Sequence, residues 1–397
     1  MKIAMLLDNP FTEKLPYPKR VYYEAKSLVK NGHDVTVYCK NEKDIDIPKF
    51  EIRDGIKIKR CFDFFLGTTV LVDKYLTAHF DLFNSISETY DAYHCHDIFT
   101  WPIGYILSRR DNAKFICETH EYFPDYICEE WHTDKFKYEL TKMLVDSRGN
   151  YIKYGDKVIS VSEKTANALQ DMFSLKEKPT VIYNSRPKSY INELKAMQAK
   201  STNLLRKLYK IDESINILFF QGLVEPARGL DIAINIIKHL DNCVLVIAGQ
   251  GKDEYIKELE KLVAKIGVKD KVIFTGFMPS DELFMYSSYA DFLVYFGKKL
   301  VKNMDLTIPN KFFDYIMIGK PIIASNLQAL DEIIKKYEIG LVVDIESEDI
   351  SALAEEICSY MSNNKLINSA KKNIEGIQEY YSWESQEEKL LELYKDL

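Results

Sequence analysis

Short apolar segments alternate with segments of helical periodicity along the first half of the chain. The segment Arg20–Asn31 is amphipathic and ends at Asn31-Gly32, which is a typical stop signal for a helix. Such β-α-β alternation predicts a parallel sheet with helices on both faces. The strands predicted from this pattern are Lys2–Leu7, Asp34–Cys39, Ala92–His94, Phe115–Thr119 and Lys157–Val161.

The same alternation starts again in the second half of the chain. Helical periodicity over Asp231–Leu240 and Asp253–Ile266 separates short apolar strands there. Two successive α/β runs predict two doubly wound domains, at residues 1–190 and 191–379, joined by the polar helical stretch Lys188–Lys210. The strands predicted in this half are Ile215–Phe220, Cys243–Ala248, Val272–Phe274, Phe292–Tyr295 and Pro321–Ala324.

The pattern alone does not decide which sheet the final helix, Trp383–Tyr394, joins. Packing of residues 380–397 back on the first domain is one arrangement that it allows. In open α/β sheets, ligands bind at the carboxyl ends of the strands. Two such domains facing each other would bring two sets of strand ends together, so we expect the site in a cleft between the domains.

Composition narrows the class of protein. The chain has 397 residues, more than the ~250–300 that one hydrophobic core usually serves. Hydrophobic residues make up 46% and charged residues 28%, which excludes collagen, long coiled coils and general disorder. The net charge of −7 argues against non-specific nucleic-acid binding, so we expect no nucleic-acid partner.

The sequence also carries indications of location. Met1–Asp8 reaches an acidic residue too early for a signal peptide, and no stretch approaches the ~20 apolar residues of a membrane-spanning helix. The seven cysteines form no C-x-x-C pair, so we interpret them as free thiols and expect a cytoplasmic protein. They are Cys39, Cys61, Cys95, Cys117, Cys128, Cys243 and Cys358.

The segment Thr307–Pro321 carries the most informative pattern. Pro309 near its start and Gly-x-Pro at its end are start and stop signals of a helix. The first turn is expected to leave free N–H groups at Thr307–Asn310 beside Lys311, which suits a diphosphate. Asp314 lies one turn further in, where a carboxylate could accept two ribose hydroxyls. On helix physics alone, a capped surface helix remains the alternative.

This segment and the motifs before it resemble the retaining glycosyltransferases of the GT-B fold, family GT4. The helix start Pro309-Asn310-Lys311, with Asp314 and Gly-Lys-Pro after it, is similar to the family's P-N-K-x-F-E-Y-x-x-x-G-x-P signature. Seven further motifs occur in the family's order and cover essentially the whole chain. They are Asp91–Asp97, Glu118–Pro124, Val161–Glu163, Val181–Asn184, Phe220–Gly222 with Arg228–Leu230, Ala248–Gly251 and Phe274–Phe277.

The resemblance implies an α/β fold of the GT-B type, with two Rossmann-like domains facing across a cleft. It implies transfer of a sugar from a nucleotide-sugar, UDP-linked in our expectation, to a glycan or lipid-linked acceptor with retention of configuration. Cell-surface polysaccharide biosynthesis is the expected setting, with peripheral association at the inner membrane face as one option. No metal and no other cofactor is expected, because cationic side chains and helix amides would hold the diphosphate.

The resemblance also assigns the donor nucleotide-sugar to the second domain. Arg228 and Lys311 would contact its diphosphate, for which a guanidinium is well suited. Asp314 would hold the ribose, and Gly276 and Phe277 would lie where the loop meets the base. Further donor contacts are expected at Gly222, Thr307, Pro309 and Asn310, whereas we interpret Gly249 and Gly251 as turns at strand ends.

On the first domain, the resemblance singles out a histidine. His120 follows a predicted strand, and in the family a His at this place contacts the donor sugar. His120 therefore joins Arg228 and Lys311 as a predicted catalytic residue. The alternative is a histidine whose hydrogen bonds are satisfied inside a loop.

The remaining candidates belong to the acceptor side of the first domain. His94, His96 and Asp97 lie in a His-x-His-Asp pattern, which can also ligate a metal, but no further Cys/His cluster supports that alternative. We interpret these residues as shaping the strand end beside the acceptor. The predicted acceptor-side residues are Arg20, His96 and Glu121.

Three positions depart from the family's pattern. Leu306 stands where the first Glu of the family's E-x7-E pair belongs, and only its neighbours Asp305 and Thr307 could substitute for it. Asp314 is one methylene shorter than the second Glu, and Leu223 replaces a basic residue. Two alternatives to transfer therefore stay open. One is a GT-B sugar-nucleotide epimerase, which needs no acceptor, and the other is a GT-B scaffold or binding protein without turnover.

Overall fold

The computed structural model describes residues 1–12, 19–41, 46–62, 80–126, 135–200 and 203–397 of the chain. Cys128, one of the predicted free thiols, lies outside them. The described residues form two compact units. The first unit comprises Met1–Tyr183 and Gln386–Leu397, and the second comprises Asn184–Ser385.

An eight-stranded sheet forms the centre of the first unit. Its strands are β1 (Lys2–Pro10), β2 (Asp34–Lys40), β3 (Phe50–Arg53), β4 (Ile56–Phe62), β5 (Ala92–His96), β6 (Lys114–Glu118), β7 (Lys157–Ser160) and β8 (Thr180–Val181). They lie in the order β3-β4-β2-β1-β5-β6-β7-β8, and every pair except β3 with β4 is parallel. The predicted α/β fold is confirmed here.

Amphipathic helices accompany this sheet. In Lys19–Lys30 the buried face is carried by Val21, Ala25 and Leu28, which follow the 3–4 residue spacing of a helix. Residues 80–85 are also helical. The other helices that lie wholly in this unit are Trp101–Asp111, Phe123–Tyr126, Lys135–Gly149 and Glu163–Phe173.

The antiparallel pair β3–β4 was not predicted. Its turn is Asp54-Gly55, and both residues have positive φ angles, 50° and 81°. An Asp-Gly pair favours a tight hairpin turn of this type, so the sequence did contain the signal. The flanking residues also alternate between apolar and charged positions, as Phe50-Glu51-Ile52-Arg53 and Ile56-Lys57-Ile58-Lys59, so the strand signal was present as well.

A six-stranded sheet forms the centre of the second unit, and all its strands are parallel. The strands are β9 (Asn216–Gln221), β10 (Cys243–Ala248), β11 (Val272–Gly276), β12 (Phe292–Tyr295), β13 (Ile322–Ser325) and β14 (Gly340–Val343). Their order is β11-β10-β9-β12-β13-β14. β9, β10, β12 and β13 are almost fully buried, as expected for the centre of a doubly wound sheet.

Helices alternate with these strands as the pattern predicted. Those that lie wholly in the second unit are Ser189–Lys200, Leu204–Tyr209, Leu230–His239, Asp253–Ile266, Ser280–Ser287, Lys302–Leu306, Asn310–Ile318, Gln328–Tyr337, Ile350–Ser362 and Asn364–Ile377. The stretch interpreted as a connection, Lys188–Lys210, falls inside this unit. Asn203 Nδ2 donates to the backbone carbonyl of Tyr289 at 2.9 Å, which ties the stretch to the unit.

The last helix, Trp383–Lys395, crosses the boundary between the units at Gln386. Leu390 is fully buried and Tyr394 is 4% exposed, so the helix contributes to the core of the first unit. The Oε1 atom of Gln386 accepts a hydrogen bond from the backbone N–H of Tyr183 at 3.2 Å. Across the described residues, no helix combines the length and apolar character that crossing a membrane requires.

Candidate functional site

In the second unit, the predicted donor residues gather where β9 and β12 end. Lys311 is the second residue of the helix Asn310–Ile318, and its Nζ lies 4.4 Å from the ring centroid of Phe220 and 5.0 Å from that of Tyr295. These contacts are cation–π interactions. Among the described residues, the structure gives this ammonium no carboxylate within ion-pair distance. Burial and the charge of Arg228 hold the pKa of Lys311 well below its usual value.

Arg228 lies beside the same tyrosine. Its Nη1 donates to the hydroxyl of Tyr295 at 3.0 Å, and its Nη2 pairs with Glu225 Oε1 at 2.5 Å. Tyr295 therefore holds two cations, Arg228 at its hydroxyl and Lys311 at its ring face. Since Glu225 is the carboxylate paired with Arg228, the Nζ of Lys311 is left for an anionic ligand.

The helix start beside Lys311 differs from the expectation in one respect. The backbone N–H of Thr307 is not free, because it donates to the carbonyl of Asn303 at 3.0 Å, and Pro309 has no N–H. The predicted set of free N–H groups is therefore wrong at these two residues. Of this stretch, the N–H groups of Ile308, Asn310 and Lys311 have no backbone acceptor, and the last two belong to the first two residues of the helix.

Glycines allow the backbone to pack closely beneath this cluster. Gly222 has φ +123°, and a Cβ added to it would come within 2.5 Å of Lys311 Nζ. Gly249 has φ +155°, and its added Cβ would lie 1.7 Å from the carbonyl oxygen of Gly222. Gly249 is thus required by backbone packing, as the interpretation as a strand-end turn implied. Gly276, at the end of β11, accepts a hydrogen bond from Gly249 at 3.0 Å, and Phe277 beside it is 67% exposed.

Asp314 already has protein partners. Both of its carboxylate oxygens pair with Arg186, whose Nη2 lies 3.1 Å away, and Gln221 Nε2 donates to it at 3.0 Å. The guanidinium of Arg186 lies 4.8 Å from the ring centroids of both Tyr190 and Phe284. The predicted ribose contact of Asp314 remains a prediction, and the structure adds a second role, which is to neutralise Arg186.

The position that departs from the family pattern is apolar in structure as well as in sequence. Leu306 is 5% exposed. Asp305 accepts hydrogen bonds from the backbone N–H of Gln328 at 2.8 Å and from its Nε2 at 2.5 Å, at the start of a helix. Thr307 Oγ1 donates to the carbonyl of Asn303 at 2.7 Å. Both polar neighbours of Leu306 are therefore engaged elsewhere.

In the first unit, four residues named in the sequence analysis gather around Glu118, which ends β6. Arg20 Nη2 pairs with Glu118 Oε1 at 2.9 Å, and His120 Nε2 lies 2.9 Å from the same oxygen. His94 Nε2 lies 2.8 Å from Oε2, and His96 Nδ1 lies 3.6 Å from Oε1. Glu118 is fully buried. We call these residues, with Glu24, the Glu118 cluster.

The ionisable groups of the Glu118 cluster differ in the direction in which their pKa values are shifted. Burial by itself raises the pKa of Glu118, but Arg20 and the histidines outweigh burial and hold it well below its ordinary value. Burial lowers the pKa of His120, but Asp97 and Glu118 reverse this and raise it to about 9. Burial lowers the pKa of His96 to about 3. Glu118 is therefore charged, His120 is protonated and His96 is neutral at pH 7.

Asp97, whose backbone is in the left-handed conformation, contacts His120 on the side of the ring away from Glu118. Asp97 follows β5 with φ +62°, and its Oδ1 accepts the backbone N–H of His120 at 2.9 Å. Its Oδ2 lies 3.4 Å from His120 Nδ1. Both ring nitrogens of His120 thus face carboxylates, and its side chain is 10% exposed. For Glu121, the structure shows its carbonyl accepting from Thr119 Oγ1 at 2.5 Å.

The cluster contains a candidate set of metal ligands, because Glu24, His94, His96 and Glu118 offer atoms within 4.8 Å of one another. Arg20, however, pairs with both carboxylates, at 2.8 Å to Glu24 and 2.9 Å to Glu118. Both nitrogens of His94 also have partners. The residues present therefore do not fit a metal ion, since the place between the carboxylates is filled by a guanidinium.

Several residues of the two clusters were not predicted. Glu118 opens the motif Glu118–Pro124, and an acidic residue at the last position of a buried strand is a signal of a functional site that the sequence contains. Asp97 was treated as shaping the strand end, and its left-handed backbone has no mark in the sequence. The contacts of Arg186 with Asp314 and of Tyr394 with His94 join residues far apart in the chain.

Comparison with known families agrees with this arrangement. The model for Glycosyltransferase Family 4 matches residues 19–186, and the model for Glycosyl transferases group 1 matches residues 201–376. The two models together span most of the chain, and each covers one of the two units.

Relatives and solved structures agree with the family models. An uncharacterised glycosyltransferase of Methanocaldococcus jannaschii is 26% identical over 391 residues, covering 94% of this chain and 92% of that protein. A GDP-mannose-dependent alpha-(1-6)-phosphatidylinositol monomannoside mannosyltransferase of Mycobacterium tuberculosis is 33% identical over 150 residues, covering 36% and 38%. The structure of Anabaena Alr3699/HepE in complex with UDP is 14% identical, covers 100% of both chains and has a TM-score of 0.71.

The chain therefore belongs to the group 1 glycosyltransferases of the GT4 type and has the GT-B fold. The predictions of this family and of this fold are confirmed.

Proposed function

We propose that this glycosyltransferase transfers a sugar from a UDP-sugar to a glycan or lipid-linked acceptor with retention of configuration. The observation that carries the proposal is Lys311. It is a partly buried ammonium without a carboxylate partner among the described residues, next to Arg228 and to two free helix N–H groups. A diphosphate is an anion of the charge and size that such a cluster binds.

The choice of donor rests on the comparisons. Anabaena HepE, which has the same fold, was solved with UDP and with UDP-glucose. The Mycobacterium tuberculosis relative is GDP-mannose-dependent, which makes a GDP-sugar the second candidate donor. The name of that relative also indicates a lipid-linked acceptor, and an acceptor of this kind would bring the protein to a membrane surface.

The proposed mechanism is electrostatic and positional. Arg228, Lys311 and the N–H groups of Asn310 and Lys311 would hold the diphosphate and stabilise the charge that develops as the bond to the sugar breaks. The leaving β-phosphate would then accept the proton of the attacking acceptor hydroxyl on the same face of the sugar, which retains the configuration. His120 would contribute a positive charge beside the sugar.

A thermal-shift screen tests the donor. UDP-, GDP- and dTDP-sugars are each added to the protein, since a ligand at 100 times its Kd stabilises by ~2.7 kcal/mol. We expect the largest shift with a UDP-sugar. The binding sugar-nucleotide is then incubated with acceptors, and the anomeric configuration of the product is read by NMR. An inverted product would contradict the proposed retention.

Leu306 favours a second candidate, a binding protein without turnover. Its side chain is buried, and Asp305 and Thr307 are engaged elsewhere, so no carboxylate is available there to orient the sugar. This candidate predicts a thermal shift without product under every acceptor condition. A sugar-nucleotide epimerase would instead convert the donor in an incubation that contains no acceptor, so paired incubations with and without acceptor separate the three functions.

A further inference from the structure

A buried hydrogen-bond path connects the last helix of the chain to His120. The hydroxyl of Tyr394 lies 2.9 Å from His94 Nδ1. His94 Nε2 lies 2.8 Å from Glu118 Oε2, and Glu118 Oε1 lies 2.9 Å from His120 Nε2. His94 and Glu118 are fully buried, and Tyr394 is 4% exposed. The path therefore runs through the core of the first unit.

The direction of two of these hydrogen bonds follows from the charge on Glu118. An ionised carboxylate only accepts, so His94 and His120 must both donate to it from Nε2. The hydroxyl of Tyr394 contacts the other ring nitrogen of His94, Nδ1, at 2.9 Å. Tyr394 thus holds the ring of His94 in the orientation that directs its Nε2 proton to Glu118.

We propose that Glu118 is a positioning residue that holds the ring of His120 in place, and that His94 and Tyr394 fix Glu118 in turn. The last helix is thereby part of the functional site of the first unit. The assignment of His120 as the group that assists transfer rests on the proposed function, whereas the path that holds it does not.

The charged surroundings of His120 come from four elements. Glu118 of β6 and Asp97 after β5 favour its protonated form, and Arg20 of the first helix opposes it. Asp8 of β1 also interacts with His120, and burial together with Asp97 raises the pKa of Asp8 to about 7. His96, next to the ring, is neutral at pH 7 because burial lowers its pKa. Two carboxylates in direct contact therefore decide the charge of His120.

Two substitutions on the path are expected to weaken the contact between Glu118 and His120 to different degrees. Replacing Glu118 with Gln removes one of these carboxylates while keeping the shape of the side chain. Replacing Tyr394 with Phe removes only a hydroxyl, after which the ring of His94 is held at Nε2 alone. His94 would then hold Glu118 less firmly, and the hydrogen bond from His120 to Glu118 would weaken.

The first test is the titration of His120 by NMR in the full chain without substrate, with its resonance assigned from a His120→Gln variant. We expect wild type to titrate near pH 9. In Glu118→Gln the midpoint should fall by about one unit or more, and in Tyr394→Phe it should fall by less. Leu390→Ala is the control, because Leu390 is equally buried in the same helix and lies off the path. It should lower the Tm and leave the midpoint unchanged.

An unchanged midpoint in Glu118→Gln would overturn the proposal. If that variant does not fold, the same midpoint in Tyr394→Phe and wild type would overturn it, as would an equal shift in Leu390→Ala. The second test is kinetic: in Tyr394→Phe, kcat should fall and its alkaline limb should move to lower pH, while Kd for UDP stays within twofold. Titrations that follow the proposal without any detectable transfer would refute the proposed function and leave the path established.

Discussion

The two sheets differ in whether the buried charged groups at their carboxyl ends are paired with groups of opposite charge. In the first unit, Glu118 is surrounded by Arg20, His94 and His120, so every charge of the cluster has a partner inside the protein. In the second unit, the described residues give the Lys311 ammonium the ring faces of Phe220 and Tyr295 and no carboxylate within ion-pair distance. Both sites lie at the carboxyl ends of strands, yet one is internally neutralised and the other is not.

The difference separates two uses of buried charge. A charge removed from water is destabilising unless it is paired, so a network that pairs all its members holds a geometry. An unpaired cation such as Lys311 lowers the stability of the free protein, and an anionic ligand recovers that free energy. We therefore expect substitutions in the first unit to harm the fold and those at Lys311 to harm the activity.

Substitution of Lys311 should produce the largest effect. Lys311→Met is expected to reduce the transfer rate by ~10²–10³-fold, because it removes a charge aimed at the developing diphosphate. Its Tm should not fall and is expected to rise. The folded protein holds the pKa of Lys311 below its unfolded value, so the charged form is destabilising at pH 7.

Lys298→Met is the matched control for this prediction. Lys298 is a neighbouring lysine, but its Nζ is already paired with Asp231 at 2.9 Å. Its substitution should leave the rate near that of wild type. The activity is measured with the donor that gives the largest thermal shift. If Lys311→Met keeps the wild-type rate, the proposed contrast between Lys311 and the Glu118 cluster is wrong.

His120→Ala tests whether the first unit contributes to the reaction as well as to the fold. If the charged ring assists the sugar, turnover should fall by ~10²-fold. The Kd for UDP, measured by calorimetry, should barely change, because the nucleotide is proposed to bind the second unit. Equal losses in turnover and in UDP affinity would mean that His120 has a structural role only.

Asp314→Ala distinguishes ribose binding from the neutralisation of Arg186. Two charge-assisted hydrogen bonds to ribose are worth ~1.5–3 kcal/mol, so nucleotide binding should weaken about ten- to a hundredfold. The Tm should fall too, because Arg186 loses its carboxylate partner. A 2′-deoxyribose nucleotide is the control. If the variant still distinguishes it from the ribonucleotide as wild type does, Asp314 only anchors Arg186.

Glu24→Gln should change how stability depends on pH. Burial and the charge of Glu118 raise the pKa of Glu24 to about 7 from an ordinary value of 4.5. Its protonated form therefore stabilises the folded state below pH 4.5, and this contribution is lost as the pH rises through 7. Urea unfolding at pH 5 to 8 should show the variant gaining stability relative to wild type as the pH increases. The exposed Glu346→Gln should show no such trend.

The smallest expected effect is that of a chelator. The Glu118 cluster contains Arg20 where a metal would sit, and the donor cluster offers cations rather than metal ligands. Transfer should therefore continue at the full rate in excess EDTA. Loss of activity that returns with added Mn²⁺ would contradict the proposed mechanism at both sites.

Much of the fold could be predicted from local patterns. Alternation of apolar runs and amphipathic segments indicated the parallel strands of both sheets, because period and burial are recorded in consecutive residues. The Asp54-Gly55 hairpin was not predicted, although the turn pair and the alternating residues on both sides of it are local signals. The helix at Asn310 was predicted from Pro309 and the Gly-x-Pro stop, but Thr307 was wrongly included among the free N–H groups, since its bond to Asn303 depends on a preceding turn.

By itself, the sequence determined the order of the elements and the positions of Lys311, Arg228 and His120 at the ends of strands and the start of a helix. Only the tertiary structure decided which of these charges are neutralised. Arg186 and Asp314 are 128 residues apart, and His94 and Tyr394 are 300 apart. No local period records such pairs, because they form only when packing of the core brings distant segments within hydrogen-bonding distance.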